Sequence, residues 1–133
     1  MTPAPMNTEA SGLCIAALRA GRALTIVNLS PSLSPFVRVG DALTLDPSEQ
    51  VRLGALVAVE RAGRIVFHRL VRREAGRIVL QGDANPFRDA PDEIEAVLGV
   101  VTRQTTRSGR TLDHRRGRRR VPGAAPGLRD QKA

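Results

Sequence analysis

The pattern of apolar and polar positions changes once along the chain, near residue 22. Before that point, Leu13, Ala16 and Ala17 fall at helical spacing, with the apolar Ile15 and Leu18 beside them. Asn7 or Thr8 can cap this helix, and Gly21 is placed to end it, because glycine readily adopts the left-handed conformation of a helix C-terminus. The pattern predicts a proline-containing arm and one helix within residues 1–21.

After residue 22 the apolar residues come in short runs separated by Gly, Pro and Asp, which is typical of strands joined by turns. The runs that we expect to form strands are 24–27, 42–45, 56–59, 64–71, 77–81 and 97–101. The segment Arg61-Ala62-Gly63 has the length and composition of a hairpin turn. We therefore predict a mainly β domain of short antiparallel strands over residues 22–102, with one N-terminal helix.

Length and composition are those of a single small domain. The 133 residues suffice for one hydrophobic core, and three Phe with no Trp or Tyr mean that Val, Leu, Ile and Ala must build it. One cysteine, Cys14, excludes an internal disulfide, and we expect it to be a small buried helix residue. No internal repeat is present.

The positive charge is confined to one end of the chain. Residues 103–133 hold ten basic and two acidic residues, whereas residues 1–102 hold eleven of each, so the net charge of +8 comes from the C-terminal segment. This segment is rich in Gly and Pro and poor in apolar residues, which predicts a disordered tail. Its arginines would bind a nucleic acid or an anionic membrane surface weakly, through Arg115, Arg116, Arg118, Arg119 and Arg120.

Targeting signals are not visible in the sequence. The first nine residues contain no basic residue, as a secretory signal would require. The longest uncharged stretch, residues 23–37, contains two prolines and is too short to span a bilayer. We therefore expect a soluble cytoplasmic protein, which its tail could hold at the periphery of a membrane.

Serine, histidine and aspartate occur in that order in three segments of the predicted β domain. A serine hydroxyl becomes a nucleophile when a neighbouring base accepts its proton. The only lysine, Lys132, and the histidine His114 both lie in the predicted tail, which leaves His68 as the credible base. On its strand His68 shares an otherwise apolar face with Val66 and Leu70, where an unpaired imidazole would be costly to bury.

These segments resemble the motifs of the signal peptidase I superfamily, which also contains the self-cleaving domains of SOS-type repressors. The first family box is Ser/Gly-Gly-Ser-Met-x-Pro followed by a hydrophobic residue and Gly-Asp. It is similar to Ser30-Pro31-Ser32-Leu33-Ser34-Pro35, with Val37 and Gly40-Asp41 following without gaps. The second box of the Ser/His branch is His-Arg-Val, and His68-Arg69-Leu70 resembles it.

Two further boxes extend the resemblance to the whole of residues 22–102. Gly-Asp-x-Asn with a later aspartate is similar to Gly82-Asp83-Ala84-Asn85 and Asp89. The closing Val-x-Gly-x-Val strand is similar to residues 97–101. The resemblance implies the β fold of this superfamily and a serine peptidase that acts on a peptide or protein, with no cofactor and no metal.

The resemblance also implies a role for each matched residue. Ser32 would attack the peptide carbonyl and form an acyl-enzyme, with His68 as general base. Asp83 or Asp89, with Asp89 preferred, would orient the imidazole. The oxyanion hole would comprise the Ser30 hydroxyl and the Ser32 backbone N–H, and each such donor is worth about 3–4 kcal/mol in the barrier.

Departures from the family pattern keep two other functions open. Pro31 replaces the glycine before the nucleophile, which removes a backbone donor and favours a catalytically degenerate peptide-binding or regulatory module. The second alternative is a nucleic-acid-binding regulator related to the repressors. The sequence has no room for a helix-turn-helix domain before residue 22 and lacks the lysine of self-cleavage, so the peptidase is the leading hypothesis.

Overall fold

One helix packs against a single antiparallel sheet in the computed structural model, which describes residues 8–115. The helix is α1 (Thr8–Arg19), and two 3-10 turns cover Pro31–Leu33 and Ile94–Ala96. The strands are β1 (Leu24–Val27), β2 (Ala42–Asp46), β3 (Leu56–Arg61), β4 (Arg64–Glu74), β5 (Arg77–Gln81), β6 (Asp92–Glu93), β7 (Val97–Thr105) and β8 (Thr111–Asp113). The predicted fold class, mainly β with one N-terminal helix, is confirmed.

Strand β7 organises the sheet, whose order is β1-β2-β7-β3-β4-β5-β6. One edge of β7 pairs with β2. Its other edge is shared, because β3 pairs with residues 97–100 and β8 pairs with residues 103–105. The β3–β4 and β4–β5 connections are tight hairpins, and the predicted turn at Ala62-Gly63 is confirmed.

Aliphatic side chains build the core, as the composition predicts. One cluster lies between α1 and the sheet and includes Ile15 and Leu18. A second cluster packs β3, β4 and β5 together and includes Leu70 and Leu80. Cys14 is half-buried against the first cluster, and burial raises the pKa of its thiol. Strand β4 contributes to both clusters, through Phe67 to the first and Leu70 to the second.

Helix α1 ends just before Gly21, as the sequence predicts. Gly21 has φ of +87°, the Arg22 N–H donates to the Ala17 carbonyl at 3.0 Å, and the Gly21 N–H donates to the Leu18 carbonyl at 3.0 Å. These bonds satisfy carbonyls that the last helical turn would otherwise leave unpaired. Asn7, one of the two predicted caps, lies outside the described residues.

The predicted boundary between the β domain and a disordered tail, at residue 102, is too early. Strand β7 continues to Thr105, and β8 adds a further strand to it. The reason is alternation within an arginine-rich segment: Arg103 is exposed, whereas Gln104 is 1% exposed and donates to the Asp41 carboxylate at 2.9 Å. The count of charges therefore concealed a half-buried strand.

The predicted anion-binding arginines lie at or beyond the end of the described chain. Arg115 is exposed and its Nε lies 3.4 Å from the Asp113 carboxylate. The other predicted contacts lie outside the described residues: Arg116, Arg118, Arg119 and Arg120. Within residues 8–115, no helix combines the length and apolar character needed to cross a membrane.

Candidate active site

The predicted nucleophile lies in a loop between β1 and β2 that Asn28 closes at its base. The Asn28 N–H donates to the Asp41 carbonyl, and the Gly40 N–H donates to the Asn28 carbonyl, both at 2.8 Å. The buried Asn28 side chain also donates to the carbonyls of Ser30, at 2.9 Å, and Arg38, at 3.2 Å. The loop is thus fixed from within by a residue that sequence reasoning did not single out.

Asp41 has a structural part in the same loop. It is 3% exposed and accepts hydrogen bonds from the Arg38 N–H at 2.9 Å, the Gln104 side chain at 2.9 Å and the Arg107 N–H at 3.3 Å. Gly40 before it has φ of +97°, a conformation that favours glycine. The Gly-Asp pair of the first box therefore anchors the loop to β7.

Ser30 and Ser32 contact each other at the start of the 3-10 turn. Ser30 caps the turn: its Oγ accepts from the Ser32 N–H at 3.2 Å and donates to the Ser32 Oγ at 3.0 Å. Pro31 occupies the first position of the turn, where its missing N–H leaves no turn hydrogen bond unmade. Both predicted oxyanion-hole groups are therefore adjacent to the Ser32 hydroxyl.

The structure brings Asp89 to His68. The Nδ1 of His68 contacts Asp89 Oδ2, and the imidazole is 8% exposed. The Asp89 N–H donates to the Leu80 carbonyl at 2.8 Å, which fixes the backbone beneath the carboxylate. Because a carboxylate accepts and Nδ1 donates, this contact leaves the lone pair of the imidazole on Nε2.

Asp83, the other aspartate predicted as a partner of His68, is bound elsewhere. Its carboxylate accepts two hydrogen bonds of 2.7 Å from the Nε and Nη2 of Arg69. The Arg69 side chain is 1% exposed, that of Asp83 is 0% exposed, and Arg69 also donates to the Gly54 carbonyl at 2.8 Å. This buried pair links β4 to the segment after β5. The Asp83 carboxylate therefore binds Arg69 and is not the hydrogen-bond partner of His68.

Gly82 brings the serine loop and the histidine together. A β-carbon on Gly82 would lie 2.8 Å from the Ser32 carbonyl oxygen and 3.1 Å from His68 Nε2. The Ala84 N–H donates to that same Ser32 carbonyl at 2.9 Å. The free nitrogen of His68 is therefore on the side of the ring where Gly82 and Ser32 lie.

Ser32 and His68 line one cleft of about 520 Å³ between the end of β1 and the first half of β4. Half of the residues that line it are apolar: Ile26, Val27, Leu29, Ile65, Val66 and Phe67. Within residues 8–115, no hydrogen bond joins Ser32 Oγ to His68 Nε2, and the serine hydroxyl accepts one from Ser30 instead. In ligand-free enzymes such bonds often tighten only when substrate binds.

Arg61 extends the site beyond the residues that the sequence indicated. Its Nη1 lies 3.0 Å from Asp89 Oδ2, and its Nη2 lies 2.6 Å from Asp92 Oδ2. Burial alone would lower the pKa of Arg61, but the hydrogen bonds and charges of Asp92 and Asp89 together raise it. Sequence reasoning assigned Arg61 only to a hairpin, because nothing local marks an arginine that pairs 28 and 31 residues away.

The described residues contain no cluster of three or more His, Cys, Asp or Glu side chains arranged to hold a metal ion. Comparison of the chain with protein-family models, with curated proteins and with solved structures gave no match. The functional interpretation therefore depends on the geometry of the cleft and on the sequence motifs.

Proposed function

We propose that the protein is a serine endopeptidase of the Ser/His type, related to the signal peptidase I superfamily. One observation carries the proposal. The His68 imidazole is bound through Nδ1 to Asp89, and its free Nε2 lies toward Ser32 across Gly82, in a cleft that both residues line. A hydroxyl, a base and a carboxylate that orients the base are the parts that acyl transfer by serine needs.

The reaction follows from these positions. Ser32 Oγ attacks the carbonyl carbon of the peptide bond while Nε2 of His68 accepts the hydroxyl proton. The tetrahedral intermediate collapses, the C–N bond breaks, and the imidazolium gives its proton to the leaving amine. A water molecule then attacks the Ser32 ester with His68 as base again, which releases the acid and restores the serine. Asp89 stabilises the imidazolium throughout.

Ser30 and the Ser32 backbone supply donors for the oxyanion. The Ser30 hydroxyl donates to the Ser32 hydroxyl and accepts from the Ser32 N–H. A substrate carbonyl beside Ser32 can accept from both groups once the Ser30 side chain rotates and releases the Ser32 N–H. This exchange gives Ser30 a part in catalysis that does not require movement of the backbone.

An activated fluorophosphonate probe tests the proposal, since it reacts with nucleophilic serines. We expect labelling of the native protein and loss of labelling in Ser32→Ala and in His68→Gln. Ser34→Ala is the matched control, a serine of the same loop, and should be labelled like the native protein. Equal labelling of Ser32→Ala and the native protein would overturn the proposal, as would an unlabelled native protein.

A second function remains to be compared with the first: a peptide-binding or regulatory module that no longer cleaves. The observation that favours it is the engagement of the Ser32 N–H and hydroxyl by Ser30, with Pro31 between them. Such a module would bind peptides in the cleft of the native protein and of Ser32→Ala with equal affinity, and would not react with the probe.

A further inference from the structure

We infer that Arg61 is a positioning residue of this site: it holds the Asp89 carboxylate in the orientation that directs His68 toward Ser32. The inference rests on the proposed function. Arg61 lies outside the four family boxes. It comes near the imidazole through the pairing of strands and not through its position in the sequence.

The geometry shows a guanidinium shared between two carboxylates. Asp89 Oδ2, the oxygen that contacts His68, also accepts from Arg61 Nη1 at 3.0 Å. The opposite side of the guanidinium contacts Asp92, through Nη2 at 2.6 Å and Nε at 3.4 Å. The Arg61 side chain is 31% exposed and both carboxylates are 16% exposed, so water competes only weakly for these bonds.

The placement explains why a positioning residue is needed. Asp89 lies in the irregular segment between β5 and β6, so no strand of its own fixes the direction of its side chain. Arg61 is the last residue of β3, the strand that pairs with β4 and so with the strand of His68. Hydrogen bonds from its planar guanidinium therefore hold the Asp89 carboxylate in a fixed position relative to the sheet. Lysine cannot make the same contact with two carboxylates.

The experiment measures the rate of fluorophosphonate acylation against pH for the native protein, Arg61→Gln and Arg61→Lys. For Arg61→Gln we expect a plateau rate lower by about tenfold or more, because the base is misplaced. Arg61→Lys should restore only part of the plateau rate, because an ammonium cannot make the same two-sided contact.

Arg77→Gln is the matched control, since it removes an exposed arginine whose partner is Glu93 in the neighbouring strand, at 3.1 Å. It should keep the native rate and pH profile. Circular dichroism of each variant establishes that it is folded at the assay temperature. A native plateau rate in folded Arg61→Gln would overturn the inference while leaving the proposed function intact. Labelling that survives Ser32→Ala would instead overturn the proposed function.

Discussion

Gly82 lies against His68 with no room for a side chain between them. A β-carbon at position 82 would stand 3.1 Å from the free ring nitrogen and 2.8 Å from the backbone carbonyl of Ser32. Glycine at this position therefore sets the spacing of the serine loop and the histidine strand. Glycine is needed here because neighbouring atoms lie close to its α-carbon. Its backbone conformation is not the reason, since Gly82 is not among the glycines with positive φ.

We expect Gly82→Ala to be destabilising and to slow acylation. The neighbour at 2.8 Å is a backbone oxygen, held by the Ala84 N–H, so it cannot move away cheaply. Overpacking of this kind costs about 1–3 kcal/mol. Urea denaturation should give that loss in the free energy of unfolding, and the fluorophosphonate rate should fall because Ser32 and His68 are pushed apart.

Gly12→Ala is the control for the same chemical change. Gly12 lies in α1 and has no positive φ, and beyond its chain neighbours and the backbone of its own helix no heavy atom lies within 4 Å of an added β-carbon. It should stabilise the protein by about 0.5–1 kcal/mol, because alanine favours the helix, and leave acylation unchanged. A native acylation rate in Gly82→Ala would show that the close approach does not matter to the site.

The two aspartates that the sequence could not separate should respond differently to the same substitution. Asp89→Asn should remain folded and lose acylation by about 10³- to 10⁴-fold, because the amide no longer stabilises the imidazolium or fixes its tautomer. Asp83→Asn should instead lose about 3–5 kcal/mol of stability, because Arg69, 1% exposed, would keep a buried charge without its counter-ion.

Thermal unfolding and acylation of both variants, measured side by side, check this division. The contrary result would be an Asp83→Asn protein of native stability that is inactive, or an Asp89→Asn protein that acylates at the native rate. Either would show that the contacts of Asp83 and Asp89 in the structure do not describe the working site.

Local patterns were enough to predict most of the sheet. The strands over 24–27 and 77–81 have the bounds that their apolar runs indicated. Strand β6 could not be found in this way, because Asp92-Glu93 contains no apolar residue and forms only by pairing with Arg77 and Ile78 of β5. Hydropathy reports the burial of side chains, whereas this strand exists through backbone hydrogen bonds.

The candidate site divides along the same line. Ser32 and His68 belong to motifs, so their resemblance to a family could indicate them. The choice between Asp83 and Asp89 depends on how the segment after Gly82 folds, and no local pattern encodes that path. Arg61 and Asn28 act through partners that only the tertiary fold brings near, and for that reason sequence reasoning missed them.

Gln104 tests whether the chain beyond residue 102 belongs to the fold. Its buried amide donates to the Phe36 carbonyl at 3.0 Å and to the Asp41 carboxylate at 2.9 Å. Gln104→Leu should cost about 1–3 kcal/mol, because the buried carboxylate and carbonyl lose a donor. Urea denaturation measures this loss, and Gln50→Leu at an exposed position is the control. Equal stability of the two variants would show that Gln104 does not contribute to the fold.

The position of Arg64 in the cleft leads us to expect a preference for acidic peptides, an expectation that rests on the proposed function. Among the described residues that line the cleft it is the only charged one, and no ion pair of residues 8–115 includes it. It lies four residues before His68 on β4, about 13 Å away along an extended strand. An extended peptide covers that distance with about four residues, so a carboxylate at that separation from the cleaved bond would meet the guanidinium.

We expect peptides with Asp or Glu about four residues from the cleaved bond to be cut faster than the same peptides with Lys at that position. The expected ratio is about two- to fivefold, because an exposed charge pair contributes little free energy. Arg64→Glu should reverse the order. Arg72→Glu, the same charge change at an exposed position further along β4, should keep it. Competition between the two peptides in one reaction, read by mass spectrometry, measures the ratio directly. An unchanged ratio in Arg64→Glu would exclude this arginine from substrate selection.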